Sequence, residues 1–206
     1  MSRKLAAACV AALALSPVAH AADREFFVSG ALGTSQARLG SPYGSDYHRD
    51  GSDITTALRF GALWRGQPWL GVETGFVDLG RFSERYAVGS VDVRDEARTR
   101  AALLGVNATY RFDAPWYLSA RGGWLRSWVK VSGRESQAGS TSYVTATASA
   151  TASGDGWYVG LGGGYDLSEQ FSVGAHLDFY RVQVSRNGAD LGGHVGTLTV
   201  QLEYRY

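Results

Sequence analysis

Gly196-Thr-Leu-Thr-Val-Gln-Leu-Glu-Tyr-Arg-Tyr206 decides the fold. In an extended chain Leu198, Val200, Leu202, Tyr204 and Tyr206 share one face, and Thr197, Thr199, Gln201, Glu203 and Arg205 share the other. This is a strict period of two that ends on an aromatic residue. In a soluble sheet the apolar face meets a protein core. In a membrane barrel it meets hydrocarbon, and the polar face looks into a lumen.

The same alternation recurs upstream. It predicts strands at Phe26–Gln36, Ile54–Trp64, Trp69–Leu79, Ala97–Phe112, from Trp116 onward, Gly156–Leu167 and Phe171–Val182, with Gly196–Tyr206 as the eighth. Three short turns are read at Gly66-Gln67-Pro68, Asp113-Ala114-Pro115 and Ser168-Glu169-Gln170. They alternate with four longer connections, Arg38–Asp53, Gly80–Glu96, Ser132–Gly154 and Ser185–Gly193. An even strand number with short turns on one side and long loops on the other predicts an all-β, eight-stranded antiparallel transmembrane barrel of the outer-membrane type, with short periplasmic turns. Gly122-Gly123 is the one place where a bulge is expected to invert the parity, so the fifth strand's register is open beyond it.

Composition agrees with this reading. Arg3 and Lys4 precede an apolar run, Leu5–Leu15, of 11 residues, and Ala19-His20-Ala21 is a small-x-small cleavage motif. Residues 1–21 are therefore expected to be a secretory signal peptide, leaving a single barrel domain, 22–206. The run is shorter than the roughly 20 residues of a membrane-spanning helix. Cys9 follows Ala6-Ala7-Ala8 inside that run, without a leucine-led lipobox, which argues against a lipid anchor. Beyond residue 21 there is no cysteine, and 18 basic residues face 19 acidic ones. That balance excludes a disulfide scaffold and gives no footprint for nucleic acid. With 27 glycines, 12% aromatics and only 4 prolines, the chain favours many long, alternating strands.

Aromatic residues flank each short turn: Trp64 and Trp69, Tyr110 and Trp116, Tyr165 and Phe171, with Phe26 and Tyr206 at the same level on the first and last strands. These eight are expected to form a periplasmic girdle at the membrane interface. Trp124, Trp128, Trp157 and Phe179 are expected to contribute to an outer ring. On the polar face, Arg59, Glu73, Asn107, Arg121, His176, Asp178, Gln201 and Glu203 fall at mid-strand depth with balanced charge, predicting an internal polar network. A soluble sandwich would carry Lys and Glu there instead of sparse charges among glycines. An Arg on the lipid side would cost up to about 2–4 kcal/mol. Gly160, Gly162 and Gly164 would leave room in the lumen for long side chains from opposite strands. Arg98, Arg100 and Lys130 lie near the outer rim, where they are expected to meet lipopolysaccharide phosphates or to snorkel.

The final strand, the hairpin Gly160–Tyr180 and the segment Leu70-Gly-Val-Glu-Thr-Gly-Phe-Val-Asp-Leu-Gly80 resemble the OmpA-type small outer-membrane barrels, the OmpX, Ail and opacity-like group. The resemblance covers the chain beyond the signal peptide. It implies an outer-membrane location and insertion by the barrel-assembly machinery through Gly196–Tyr206; with the sequence stopping at Tyr206, no periplasmic peptidoglycan-binding domain is expected.

Catalysis finds little support in the residues. His176 and Asp178 lie two apart on one strand face, about 6.5–7 Å along the backbone, with Ser172 below. A nucleophilic triad needs tighter convergence. Lipid A deacylases of this size resemble a His-x-Ser pair on the lipid face, whereas His176 leads to Asp178 and faces inward. His48 and His194 are generic candidates for palmitoyl transfer at the rim. An omptin-like protease would need ten strands. Asp46-Tyr-His-Arg-Asp-Gly-Ser-Asp53 lacks the spacing of a calcium loop, so no metal or cofactor is expected.

An eight-stranded interior is just wide enough to be filled by side chains. The expected function is therefore structural or cell-surface interaction, in adhesion or envelope integrity, with a plugged lumen and no enzymatic activity. A narrow solute pore and a lipid A-modifying enzyme are the alternatives. Within the 132–154 connection, Tyr143-Val-Thr-Ala-Thr-Ala-Ser-Ala-Thr-Ala-Ser153 alternates as a strand extension would. It is the expected contact for an extracellular protein partner, through an exposed strand edge.

Overall fold

A computed structural model describes residues 24–39, 48–66, 68–88, 91–138, 143–186 and 189–206. The expected export signal, 1–21, lies outside them. The strands are β1 (Arg24–Leu39), β2 (His48–Asp50), β3 (Ser52–Trp64), β4 (Trp69–Val88), β5 (Val91–Arg111), β6 (Trp116–Ala138), β7 (Tyr143–Asp166), β8 (Phe171–Arg186) and β9 (Ala189–Arg205). Eight of them, all but β2, form a closed antiparallel barrel in which each strand pairs with its chain neighbours and β1 closes on β9. β2 is a short addition on β4, with Arg49 opposite Glu84. It falls within the expected Arg38–Asp53 loop.

Parity follows the sequence pattern. On β9, Thr197, Thr199, Gln201 and Arg205 are buried, while Leu198, Val200 and Leu202 are more than half exposed. Leu161, Leu177, Ile54, Leu32 and Phe76 are exposed in the same way around the barrel wall. An uninterrupted outward surface of this kind requires hydrocarbon to cover it.

Three expected loops are mostly strand. Every described residue of Gly80–Glu96, Ser132–Gly154 and Ser185–Gly193 is in a strand; 89–90, 139–142 and 187–188 lie outside the described set. The reason is the absence of a breaker. Pro68 and Pro115 sit in the short turns, and no proline follows Pro115. A hairpin that has begun to pair therefore has nothing to stop it.

The bulge also lies elsewhere. β6 pairs with β5 and β7 without a register shift through Gly122-Gly123. The shift falls instead between Asp78 and Gly80 of β4. Gly80 has φ of 92°, a conformation that a side chain would strain. The distortion is held by polar contacts. Ser35 Oγ donates to the Leu79 carbonyl (2.7 Å), Thr55 Oγ1 donates to the Asp78 carbonyl (2.9 Å), and the Arg81 amide donates to the Asp53 carboxylate (2.6 Å). Beyond the bulge, Phe82 turns inward where the unbroken period would have placed it outside.

Candidate functional site: the lumen and the outer rim

The interior is layered. Nearest the short turns, Arg205 donates to Ser172 Oγ (2.5 Å) and to the Glu169 carbonyl (2.9 Å), and Ser172 Oγ donates to Asp166 (2.6 Å). Arg111 pairs with Asp166, and its guanidinium lies 4.7 Å from the Trp69 ring centroid and 5.1 Å from that of Tyr117. Glu203 sits beside Arg205 at 3.3 Å.

The middle layer holds two buried arginines. Arg59 donates to Glu73 (2.8 Å) and to Tyr180 Oη (2.9 Å). Glu73 also accepts from Tyr158 Oη (2.7 Å) and from Asn107 (3.1 Å). Arg121 grips Asp178 with two donors, at 2.7 and 2.5 Å, and donates to Gln201 (3.0 Å). Arg59 lies 3.7 Å from Asp178, joining the two groups. A bidentate arginine–carboxylate pair is the strongest of these contacts and fixes both side chains in place.

The third layer, toward the long hairpins, is apolar. Val77, Leu79, Phe82, Leu103, Leu125, Tyr158, Tyr180 and Val182 pack into one buried cluster. Leu103 and Leu125 occupy inward positions that a polar-face reading leaves to hydrophilic residues. A cavity of about 30 Å³ lies in the lumen, room for one or two waters. His176 lines it, buried, with neither ring nitrogen hydrogen-bonded among the described residues.

Glycine makes this density possible. A β-carbon on Gly160 would overlap Asp178, and one on Gly162 would overlap the His176 ring. These close approaches account for Gly160 and Gly162 on the inward face of β7.

Of the inward residues named from sequence, Arg59, Glu73, Asn107, Arg121, Asp178 and Gln201 are in mutual contact, and Glu203 belongs mainly to the knot below them. The network named from sequence left out Arg111, Asp166, Arg205, Tyr158 and Tyr180. The period of two already puts Arg111, Arg205, Tyr158 and Tyr180 on the inward face, and Asp166 shares that parity.

Ser172 gives its hydroxyl proton to Asp166, not to His176. The triad geometry weighed from sequence is absent among the described residues. The side chain of His48 lies outside the described set. His194 stacks on Phe179, with ring centroids 5.4 Å apart.

On the outer wall, Phe26, Trp64, Tyr110, Trp116, Tyr165, Phe171 and Tyr206 are exposed. Phe26 and Tyr206 stack at 6.0 Å across the β1–β9 seam, and Trp116 meets Tyr165 edge-on at 5.1 Å. Trp69 departs from the expected girdle. Leu70 is outward, so Trp69 falls on the lumen side and carries Arg111 on its face. At the other end, Trp124, Trp128, Trp157 and Phe179 are exposed. From Tyr165 to Trp157 is eight residues, about 27 Å along the strand and about 20 Å along the membrane normal at the usual tilt.

The outward charges begin at that upper ring. Asp78 accepts from Arg98 (2.6 Å) and Arg100 (3.0 Å). Lys130 is exposed and pairs in register with Arg98, while Arg126 pairs with Asp155 at 3.0 Å. Two arginines share one carboxylate, with a lysine opposite, so the patch is net positive.

The molecule is thus a closed β-barrel with an apolar girdled wall, an ion-paired interior and charged outer hairpins: an integral outer-membrane type of protein. Residues 5–206 match the outer membrane protein beta-barrel domain family, and the chain belongs to that family. No curated protein sequence matches it significantly. Among solved structures, Ail, the attachment invasion locus protein of Yersinia pestis, is similar at 14% identity, covering 89% of this chain and 99% of that one with a TM-score of 0.50. OprG from Pseudomonas aeruginosa is similar at 11% identity, covering 89% and 96%, with a TM-score of 0.54. The protease OmpT from Escherichia coli follows at 11% identity, covering 93% and 99%, with a TM-score of 0.49. At these identities the likeness is one of fold.

Proposed function

We propose that this barrel is a non-enzymatic cell-surface interaction protein, serving adhesion or envelope integrity, whose lumen does not conduct. The observation that carries the reading is the division of labour along the axis. The membrane section is plugged by buried ion pairs and an apolar cluster, while the polar, unusually long hairpins stand outside. β6 and β7 run 23 and 24 residues, well beyond what a roughly 9–11 residue crossing needs.

In planar bilayers the protein is expected to give no large, regular conductance steps. Stable channels of uniform size would contradict the plug and favour a solute pore. Mass spectrometry of lipid A from cells with and without the protein is expected to give identical species. A modified acyl pattern would favour the enzyme reading.

Removing Val144–Ser153 is expected to reduce adhesion to cultured cells while the barrel still resists SDS until boiled. Unchanged adhesion would remove the surface role from this hairpin. Arg98, Arg100 and Lys130 support contact with lipopolysaccharide phosphates, because their net positive charge lies at the upper edge of the apolar band.

A further inference from the structure

We propose that the edge Tyr143–Ser153 of β7 pairs antiparallel with the same edge of a second copy embedded in a facing membrane, making the barrel a self-recognising link between two cell surfaces. The proposal rests on the surface reading above and names the partner of that hairpin.

The first observation is an open ladder. β7 is paired with β6 along its whole length, from Ala138 opposite Tyr143 to Trp116 opposite Tyr165. Its pairing with β8 begins only at Gly156 opposite Val182. Above that point β8 continues with β9 alone. Among the described residues, nothing pairs with Tyr143–Asp155 on the side away from β6.

The direction of the free groups follows from the ladder. The Asp166 amide donates to the Pro115 carbonyl on the β6 side, and the Leu167 amide donates to Phe171 on the β8 side. The β6–β7 register is unbroken, so odd-numbered residues of β7 aim their N–H and C=O groups at the open edge. Tyr143, Thr145, Thr147, Ser149, Thr151 and Ser153 thus offer six donors per copy.

Natural edges are usually guarded by a charge, a proline or a bulge. Tyr143–Ser153 has no charged residue, no proline and no glycine. β4, at the other side of the same outer sheet, is instead partly covered by β2. Among the described residues, the β7 edge is open where its counterpart is partly covered.

The sequence says what closes it. Around Ala148 the stretch is nearly palindromic: antiparallel self-pairing sets Thr145 opposite Thr151, Ala146 opposite Ala150, Thr147 opposite Ser149, and Ala148 opposite itself. A slip of one residue in either direction would set Thr145, Thr147 and Ser149 opposite Ala. Self-complementarity of this kind is what an isologous two-fold contact demands.

Topology then fixes where the second copy sits. In every copy within one membrane, β7 runs from the outer hairpin inward, so neighbouring edges there are closer to parallel. Antiparallel pairing needs a copy pointing the other way, in an apposed membrane. Ala148 lies nine residues above Trp157, about 30 Å along the strand and clear of the apolar band.

The test uses the full barrel reconstituted in phospholipid vesicles. Native vesicles are expected to cluster, read as turbidity. A146K/A150K and A146E/A150E each place like charges opposite one another, and each alone should slow clustering by roughly tenfold. Mixing the two populations should restore it. In A148C, the otherwise cysteine-free barrel should form disulfide dimers between differently tagged vesicle populations. The proposal is overturned if native vesicles stay dispersed, if the charge-swapped mixture stays dispersed although both variants migrate as folded barrels, or if A148C links copies only within one population. Should the mixture stay dispersed while removal of Val144–Ser153 still lowers cell adhesion, the edge takes a different extended chain: this inference falls and the surface reading stands.

Discussion

Arg59→Leu is expected to lower the unfolding free energy in lipid vesicles by about 3–5 kcal/mol, the range for stranding one partner of a buried ion pair. Arg59 is 1% exposed and is the cation held by Glu73, at 2.8 Å. Without it Glu73 keeps only the neutral donors Tyr158 and Asn107. Tyr180 Oη loses its guanidinium partner, and Asp178 keeps Arg121 as its cation, with the Tyr180 hydroxyl donating at 3.4 Å. The double variant Arg59→Leu/Glu73→Gln removes the stranded charge and should recover a large part of the loss. Urea titration followed by tryptophan emission, with unboiled gel mobility as the measure of folded barrel, reads both. A single variant within about 1 kcal/mol of the native chain would mean that the pair is solvated rather than buried, since that is the worth of an exposed pair.

Leu161→Arg is expected to cost about 2–4 kcal/mol at the centre of the apolar band. Leu161 is 68% exposed, faces Leu177 across β7 and β8, and lies midway between Tyr165 and Trp157. Ser153→Arg, on the same outward column but beyond Trp157, should cost no more than about 1 kcal/mol. The gradient with depth is the signature of hydrocarbon. Equal costs at the two positions would contradict a membrane-covered wall.

The barrel and its inward–outward parity were legible because one period of two persists over whole strands: Leu198–Tyr206 and Phe171–Val182 each admit a single assignment of faces. The limits of the strands were less so. Sequence alternation continues through Val91–Arg94 and Tyr143–Ser153, but polarity alone makes such stretches look like loops. Only the absence of proline hints that pairing goes on. The bulge was misplaced for a related reason. Gly122-Gly123 is flexible by composition, yet the ladder passes through it. Asp78-Leu79-Gly80 is where Ser35, Thr55 and Asp53 supply contacts that stabilise a distorted strand. Those partners come from two other strands and are invisible to a local reading. The apolar layer of Leu79, Leu103 and Leu125 was missed because an inward face was equated with a polar one.

The knot of Arg205, Glu203 and Glu25 lies where the first strand meets the last. A one-residue slip of that joint would turn Arg205 and Glu203 outward into the acyl chains and bring Tyr204 and Leu202 inside. Ring closure therefore verifies its own alignment. A mis-set end meets a steep electrostatic barrier, so the two termini lock together only in the native frame.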